Sequence, residues 1–392
     1  MKSTELSSVA LSEFSMTRPS HSVAQGPSLE WLAAVHAASQ ATLEALEPSA
    51  TRAFEERLGK VIARCACGPD KIAQRGHVLS DVGRTSWDDL SIYDVTRYPR
   101  GAGTAARSKL FDEIVSAYFD TEYRDEHSPP GDLIHVTCTG YVSPSGAQKT
   151  VASKGWGAET RVTHAYHMGC YAALPAVRIA AGALSLPGAL TSATGEGSRV
   201  DIVHTELCSL HLDPSNHSLE QLVVQSLFAD GFIRYSVRPG KDVDGLGVLS
   251  LHEAILPESA GSMSWIASDA GMQMTLARDV PERIAGSLRG FVTALYSKAG
   301  LDAPRSIRET VFAVHPGGPK IIDGVRRALE LEEAQVRASR DVLRDYGNMS
   351  SATLPHIWSR LVEDESVARG TLVLSLAFGP GLTVCGGLLR KQ

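Results

Sequence analysis

The stretch His164-Ala165-Tyr166-His167-Met168-Gly169-Cys170-Tyr171-Ala172-Ala173-Leu174-Pro175-Ala176-Val177-Arg178-Ile179-Ala180 predicts a tight turn that delivers one cysteine to the start of a helix. Gly169 gives the backbone the freedom that such a turn requires, and small or apolar residues then recur at roughly helical spacing. The unpaired N–H groups and the dipole at a helix N-terminus stabilise a thiolate. Cys170 is therefore a candidate nucleophile.

The bulk composition places the chain among globular proteins. Its 392 residues allow about two domains and a large core, and 43% of them are hydrophobic. The net charge of −6 and the absence of a basic stripe argue against a nucleic-acid partner. No apolar run reaches the roughly 18 residues that a membrane span needs. We expect neither nucleic acid nor a membrane span.

The cysteines and the N-terminus bear on the cellular compartment. Six cysteines without regular spacing fit free thiols in a reducing cytoplasm better than a disulfide framework. Residues 1–25 are rich in Ser and Thr and lack the basic-then-apolar pattern of a signal peptide. We expect a cytoplasmic protein whose residues 1–25 form a flexible segment, frayed or lying on the surface.

The order of the predicted elements indicates a duplication. Helix, strand, glycine-containing loop, helix and further strands occur once in residues 26–245 and again in residues 246–392. Helical patterns span residues 28–66, with a break at Pro48, and residues 105–123, while residues 231–238 and 247–256 are predicted as antiparallel strands flanking a hairpin-like turn. The pattern predicts a duplicated α/β architecture rather than two unrelated domains.

Two further residues stand where catalytic groups gather in α/β folds. His315 ends a predicted strand, and Pro316-Gly317-Gly318 cannot easily continue the ladder, so its ring should project at the carboxyl edge of the sheet. Asn348 follows a glycine at the start of a predicted helix. In a duplicated fold, Cys170 from the first half could meet His315 and Asn348 from the second half in one cleft.

Each of these residues also has a purely structural interpretation. Cysteine is among the most buried residue types, Asn before a helix is ordinarily an N-cap, and His315 alone could be a core histidine. A zinc site is another alternative, because His164, His167 and Cys170 are spaced three apart. Zinc takes four ligands, or three and a water, and no second cluster is near in sequence.

Four motifs together resemble the type III polyketide synthases, the chalcone synthase-like branch of the thiolase-fold condensing enzymes. They are Gly169-Cys170, His315-Pro316-Gly317-Gly318-Pro319, Tyr346-Gly347-Asn348-Met349-Ser350-Ser351 and Phe378-Gly379-Pro380-Gly381-Leu382-Thr383-Val384. Residues 226–231 are similar to the Leu-Phe-Gly-Asp-Gly segment of that family. The resemblance runs in order through residues 132–389.

The resemblance implies an α/β duplicated thiolase-like fold with αβαβα layers, a homodimer, a substrate tunnel and a Cys170-His315-Asn348 triad. It implies decarboxylative Claisen condensation, in which Cys170 holds an acyl chain while His315 and Asn348 stabilise the enolate formed from a malonyl-type extender. Phe228 resembles the aromatic gate of the family, and Gly379, Pro380 and Gly381 are expected to bind substrate. No cofactor is implied beyond the acyl thioesters themselves.

The sequence also departs from the pattern of many plant relatives. Met274 stands where they have a second gating Phe, and Trp265 stands where they have a Gly lining the cavity. Among the basic positions that would contact coenzyme A, only Arg64, Lys71 and Arg75 remain as candidates. These departures favour the bacterial relatives that take long β-ketoacyl chains, on coenzyme A or an acyl carrier protein, and form α-pyrones.

Two other functions stay open on the same fold. An acyltransferase or thioester hydrolase would use Cys170 and His315 alone, although Asn348 argues for carbanion stabilisation. A non-catalytic partner subunit would be expected to lose the cysteine, and this chain retains it.

Overall fold

A computed structural model describes residues 9–185, 198–240 and 243–392 of the chain. The strands are β1 (Val9–Thr17), β2 (His21–Ala24), β3 (Gln74–His77), β4 (Asp132–Thr137), β5 (Arg161–Tyr166), β6 (Val200–Glu206), β7 (Gly231–Pro239), β8 (Leu246–Ile255), β9 (Met263–Ser268), β10 (Gly271–Leu276), β11 (Val311–Val314), β12 (Leu372–Gly379) and β13 (Thr383–Lys391). The helices are α1 (Gln25–Glu44), α2 (Pro48–Cys65), α3 (Thr104–Glu122), α4 (Gly146–Ser153), α5 (Ala173–Ser185), α6 (Leu219–Leu227), α7 (Val280–Lys298), α8 (Ala303–Ser306), α9 (Pro319–Leu329), α10 (Arg337–Tyr346) and α11 (Thr353–Glu363).

The main sheet shows the duplication directly. Within the described ranges its strand order is β11-β12-β13-β8-β1-β7-β6-β4-β5. Outward from the centre, the first half runs β1-β7-β6-β4 and the second runs β8-β13-β12-β11. In both series the first two pairings are antiparallel and the third is parallel. The halves meet where β1 pairs with β8 through Ala10↔Gly247 and Leu11↔Leu246.

The helices complete the layers of a thiolase-like fold. Helices α5 and α11, one from each half, share one apolar core with strands of both halves. Helices α3 and α4 cover strands of the first half in a second core, and α7 and α9 cover strands of the second half in a third. The predicted αβαβα arrangement is confirmed. No helix among the described residues is long and apolar enough to span a bilayer.

The N-terminal segment differs from its prediction. Val9, Ala10 and Leu11 are fully buried in β1 at the centre of the main sheet, and β2 pairs with β3. The prediction of a flexible segment is therefore wrong for residues 9–24, while residues 1–8 lie outside the described part. The alternation of apolar and polar residues that predicts a strand is weak in β1, because most of its residues are small or polar.

The same strand corrects the predicted hairpin. Strands β7 and β8 follow one another in sequence, but β1 lies between them and pairs with both. The predicted helical break at Pro48 is confirmed, since α2 begins there. Helices α4 and α10 and strand β5 were not predicted. The two-stranded unit β9–β10, also unpredicted, places Trp265 directly opposite Met274.

Burial of neutral histidines makes the fold sensitive to acid. Desolvation lowers the pKa of seven histidines, namely the partly buried His211 and the buried His36, His77, His135, His204, His315 and His356. Burial raises the pKa of three carboxyl groups, Asp201, Glu206 and Asp230. These groups favour the folded state as the pH falls, which opposes the effect of the histidines. A histidine whose folded pKa is depressed contributes stability that is lost as the pH falls below its unfolded value.

We therefore predict that the free energy of unfolding decreases as the pH is lowered from 7 to 5. Each histidine that charges only on unfolding contributes up to about 1.4 kcal/mol per pH unit below about pH 6.5, and the histidines outnumber the opposing carboxyl groups. Denaturant titrations at pH 7, 6 and 5 measure this dependence. A free energy that stays constant or increases toward pH 5 would contradict it.

Candidate active site

The backbone around Cys170 is held in an unusual conformation. His167 and Gly169 have φ of 64° and 74°, a region that favours glycine. Cys170 lies in a 3₁₀ turn over Gly169–Tyr171, and α5 begins two residues later. A Cβ added at Gly169 would lie 3.1 Å from Cδ of Pro380. Both the positive φ and this close approach explain why glycine precedes the cysteine.

The loop after β12 packs against this turn. A Cβ added at Gly379 would lie 2.3 Å from Cδ1 of Tyr171, so a side chain there would displace the aromatic ring. Gly379, Pro380 and Gly381 do not line the large cavity described below. Their predicted role in substrate binding stays a prediction, while the packing shows Gly379 and Pro380, from the second half of the chain, in contact with the nucleophile turn.

The thiol of Cys170 is protonated at neutral pH. Burial raises its pKa to about 12, and the nearby Glu206 carboxylate acts in the same direction, while hydrogen bonds to Ser350 and Asn348 act against it. The thiol donates to Oγ of Ser350 over 3.8 Å. The residue as a whole keeps some exposed surface. Desolvation therefore opposes the predicted thiolate in the free protein.

Asn348 is fixed by its backbone and by one side-chain bond. It forms a β-bridge with Phe228, and its N–H donates to the carbonyl of Leu227 over 2.9 Å. Its Oδ1 accepts from the N–H of Ser350 at 2.9 Å. Because Oδ1 is engaged, the amide NH₂ is the group left to face the Cys170 sulfur, whose pKa the Asn348 side chain lowers.

His315 lies at the same edge of the sheet as the cysteine turn. Its N–H donates to Leu376 of β12 over 2.8 Å, and three residues further on Gly379 meets Tyr171. The imidazole is buried, and neither ring nitrogen has a hydrogen-bond partner among the described residues. Desolvation lowers its pKa to about 3. The protein therefore holds a neutral imidazole without a hydrogen bond to Cys170.

A polar network that no sequence motif predicts lies beneath the thiol. Oγ of Ser350 lies 3.2 Å from Sγ of Cys138, and the Cys138 thiol donates to Glu206 over 3.4 Å. Ser351 also donates to Glu206. Ser350 has a φ of 49°, a strain typical of functional sites. The paired serines after Asn348 were the only sequence signal, whereas Glu206 ends a buried strand without any motif.

A cavity of about 630 Å³, its open mouth included, lies beside this site. Phe228, Trp265 and Met274 all line it. Phe228 connects it to the site through its bridge with Asn348, and the indole N–H of Trp265 donates to the carbonyl of Cys138 over 2.6 Å. The structure thus brings the three predicted cavity residues together.

The three basic residues predicted to contact coenzyme A differ in their exposure. Arg64 is exposed in the last turn of α2, and Lys71 is exposed and paired with Asp70. Arg75 is buried, and its guanidinium donates to Gln25, Ser28 and the carbonyls of Gln225 and Phe228. Its prediction as a coenzyme A contact is corrected, because its donors hold the backbone of Phe228 in place.

The zinc alternative finds no support in the geometry. Nε2 of His164 lies 2.9 Å from Oγ of Ser145, and His167 bonds to the hydroxyl of Tyr141. In the described ranges no three His, Cys, Asp or Glu side chains come together as metal ligands would.

The raised pKa of Cys170 predicts a slow, strongly pH-dependent alkylation. Only the thiolate reacts with iodoacetamide, so we expect the rate at Cys170 to keep rising from pH 7 to pH 9.5. Peptide mass spectrometry separates Cys170 from the other cysteines. A plateau in the rate at Cys170 below pH 8 would show that the thiolate is already formed and would contradict the assignment.

The contact of Gly379 with Tyr171 predicts the effect of a single methyl group. Gly379→Ala should lower the free energy of unfolding by about 1–3 kcal/mol, because the added carbon overpacks the turn. In the matched control Gly290→Ala, within α7, the new Cβ meets nothing within 4 Å, so stability should stay equal or increase. Equal effects of the two changes in denaturant titrations would refute the packing argument.

Comparisons with known proteins agree with this geometry. Residues 248–392 match the family model described as chalcone and stilbene synthases, C-terminal domain. The chain is 32% identical to type III polyketide synthase C of Arabidopsis thaliana over 267 residues, covering 66% of this chain and 67% of that protein. It is 30% identical to type III polyketide synthase A of the same plant over 277 residues, covering 67% of each.

The fold of the chain is also similar to that of a solved structure. The crystal structure of PKS-I from the brown alga Ectocarpus siliculosus superposes with a TM-score of 0.80 at 21% identity, covering 100% of both chains. At this identity the superposition speaks for the fold, while the sequence matches speak for the family. The chain belongs to the type III polyketide synthases, and it is an acyltransferase of the condensing-enzyme class.

Proposed function

We propose that the protein catalyses decarboxylative Claisen condensation of an acyl thioester with a malonyl-type extender. The observation that carries the proposal is the arrangement of three neutral groups. The Cys170 thiol donates to Oγ of Ser350, the Asn348 side chain is near enough to lower the pKa of that thiol, and the His315 imidazole, at the same sheet edge, has both ring nitrogens free of partners among the described residues.

Acyl loading would begin from the neutral thiol. The imidazole of His315 takes the proton as the Cys170 sulfur attacks the thioester carbonyl, and the carrier thiolate leaves with a proton from the imidazolium. The low pKa of His315 suits the return of that proton, because burial disfavours its charged form. The result is an acyl-Cys170 thioester and a free carrier thiol.

Condensation then uses the neutral form of His315. The extender loses CO₂, and the electron pair of the broken C–C bond forms an enolate. The N–H of His315 and the NH₂ of Asn348 donate to the enolate oxygen. The enolate carbon attacks the acyl-Cys170 carbonyl, and the Cys170 thiolate leaves and regains a proton. Asparagine suits this role because it donates without bringing negative charge.

The substrate and product are the finer part of the proposal. A long acyl or β-ketoacyl chain, carried by coenzyme A or an acyl carrier protein, would occupy the cavity lined by Phe228, Trp265 and Met274. Condensation with malonyl units or with a second β-ketoacyl chain would end in a pyrone or resorcinol-type ring. Of the three basic residues predicted to contact the carrier, Arg64 and Lys71 are exposed and could meet a carrier phosphate. We further propose a homodimer in a reducing cytoplasm.

An acyltransferase or thioester hydrolase without condensation is the second candidate. It needs only a nucleophile and a base. The bond from the N–H of Ser350 to Oδ1 of Asn348 argues against this second candidate. That bond leaves the amide NH₂ of Asn348 as a donor, and simple acyl transfer has no use for such a donor.

Acyl loading predicts a mass increase that depends on one cysteine. Intact protein exposed to acyl-CoA should gain the mass of one acyl group, and Cys170→Ala should gain none. Cys65→Ala, which alters a partly exposed cysteine at the end of α2, should load like wild type. Equal loading of wild type and Cys170→Ala would rule out the nucleophile.

The enolate step predicts a different defect. Asn348→Ala should load an acyl group but release CO₂ from malonyl-CoA about 10²–10³-fold more slowly, since one donor to the enolate is lost. Asn216→Ala, in a surface turn whose side chain bonds to Ser218, should release CO₂ at the wild-type rate. Normal CO₂ release by Asn348→Ala would leave simple acyl transfer as the better function.

A further inference from the structure

Strands β9 and β10 form a two-stranded sheet that supplies one wall of the cavity. Trp265 of β9 lies directly opposite Met274 of β10, so the two side chains share one face of the sheet. Met272, two residues before Met274, lines the cavity with them, as the alternation of side chains along a strand requires. On the other face, Gln273 lies opposite Ile266, which is 61% exposed. That face is turned away from the cavity.

The outer edge of β10 is held by side chains from the first turn of α6. Among the described strands, β10 pairs with β9 alone, so alternate residues of β10 turn their N–H and C=O groups away from β9. Nε2 of Gln221 donates to the carbonyl of Met274 over 2.6 Å. The carboxylate of Glu220 accepts from the N–H of Leu276. These two neighbouring side chains take the place of a third strand.

A third bond on the same edge completes the pattern. Nδ1 of His211 accepts from the N–H of Met272 at 3.0 Å, and its Nε2 bonds to the carbonyl of Thr139 at 2.7 Å. The bonded groups therefore belong to residues 272, 274 and 276, every second residue of the strand. The edge is built to be held in place, and α6 supplies two of its three partners.

Helix α6 also connects this wall to the catalytic side chains. Phe228 caps the C-terminus of the helix and forms the β-bridge with Asn348. The guanidinium of Arg75 donates to the carbonyls of Gln225 and Phe228 over 2.9 and 2.8 Å. Because both ends of α6 are bonded, the helix sets the position of Met274 relative to the site.

We propose that Glu220 and Gln221 are positioning residues that hold β10 against α6 and thereby limit the length of the acyl chain that the cavity admits. The inference rests on the proposed function, because it takes the acyl chain on Cys170 as the occupant of the cavity. While the backbone of Met274 is held, the wall cannot yield to a longer chain. Loss of either side-chain bond lets the wall move outward, so longer chains gain. Both residues act through the backbone of β10 and not on the reacting atoms.

The first measurement is hydrogen exchange of residues 271–277 in the free protein. The amides of this segment should exchange at least about threefold faster in Gln221→Leu and Glu220→Leu than in wild type, since a strand edge that loses a partner opens more often. Glu220→Gln keeps a carbonyl acceptor for the N–H of Leu276 and should exchange like wild type. Unchanged exchange in both Leu variants would overturn the positioning role.

The second measurement compares acyl chains of two lengths. Octanoyl-CoA and tetradecanoyl-CoA are offered to the full chain, and acyl transfer to Cys170 is followed by intact mass. In Gln221→Leu and Glu220→Leu the ratio of the tetradecanoyl rate to the octanoyl rate should be about threefold or more above that of wild type, the effect of one hydrogen bond. Glu220→Gln should keep the wild-type ratio. An unchanged ratio in both Leu variants, despite faster exchange, would overturn the limit on chain length.

A matched control makes the same substitution next to Met274. Gln273 also donates one amide hydrogen bond, to Oδ2 of Asp213 over 3.2 Å, but it does not line the cavity. Gln273→Leu should keep the wild-type ratio of loading rates. A shift as large as that of Gln221→Leu would mean that any hydrogen bond lost from β10 has this effect, and it would overturn the specific role of Gln221.

Failure of the proposed function would look different. Loading without CO₂ release from malonyl-CoA would contradict condensation alone, because the measured ratio stops at the acyl-enzyme. If wild type transfers no acyl group to Cys170, the proposed nucleophile is wrong and the role in chain length falls with it. Hydrogen exchange would still decide whether Glu220 and Gln221 hold β10. A normal rate of condensation with unchanged chain-length ratios in the Leu variants would contradict the inference alone.

Discussion

The close packing of Gly379 on the ring of Tyr171 is the contact on which the site depends. It joins the end of β12, in the second half, to the turn that carries Cys170, in the first half. The same strand holds the backbone of His315 through Leu376. Ser350 adds a second connection by accepting from the thiol of Cys170. The duplication therefore brings the proposed nucleophile and the two proposed donors to one edge of the sheet, and neither half contains all three.

Desolvation determines the charge state of these groups. Burial raises the pKa of Cys170 and lowers that of His315, so both are neutral around pH 7. A neutral imidazole can accept the thiol proton during loading and can donate its N–H during decarboxylation. A permanent ion pair could perform only part of this cycle. The hydrogen bond from Ser350 to Asn348 preorganises the third group without adding charge.

Much of this arrangement could be predicted from the sequence because it lies in local motifs. Gly169-Cys170, the strand ending at His315 and Gly347-Asn348 each combine a backbone requirement with a reactive side chain. The duplication followed from the repeated order of elements. The prediction failed where the cause is tertiary. Strand β1 is defined by its two neighbours in the sheet, and inserting it between β7 and β8 removes the predicted hairpin.

The side chains show the same limit. Arg75 was predicted as a contact for coenzyme A, yet it is buried against the backbone of Phe228. Glu206 has no motif, and its importance comes from the buried thiol and hydroxyl groups that share it as an acceptor. Burial also reversed the expected charge of Cys170. Such effects depend on the packed environment, which local spacing does not encode.

The division of labour between the nucleophile and the two donors is the central claim. It is tested most directly by malonyl-CoA decarboxylation in D₂O with Cys170→Ala and with the double variant Cys170→Ala/Asn348→Ala. If Asn348 stabilises an enolate independently of the thiol, Cys170→Ala still releases CO₂ and yields deuterated acetyl-CoA, while the double variant is slower by about 10²–10³-fold. Equal rates in the two variants would contradict the account.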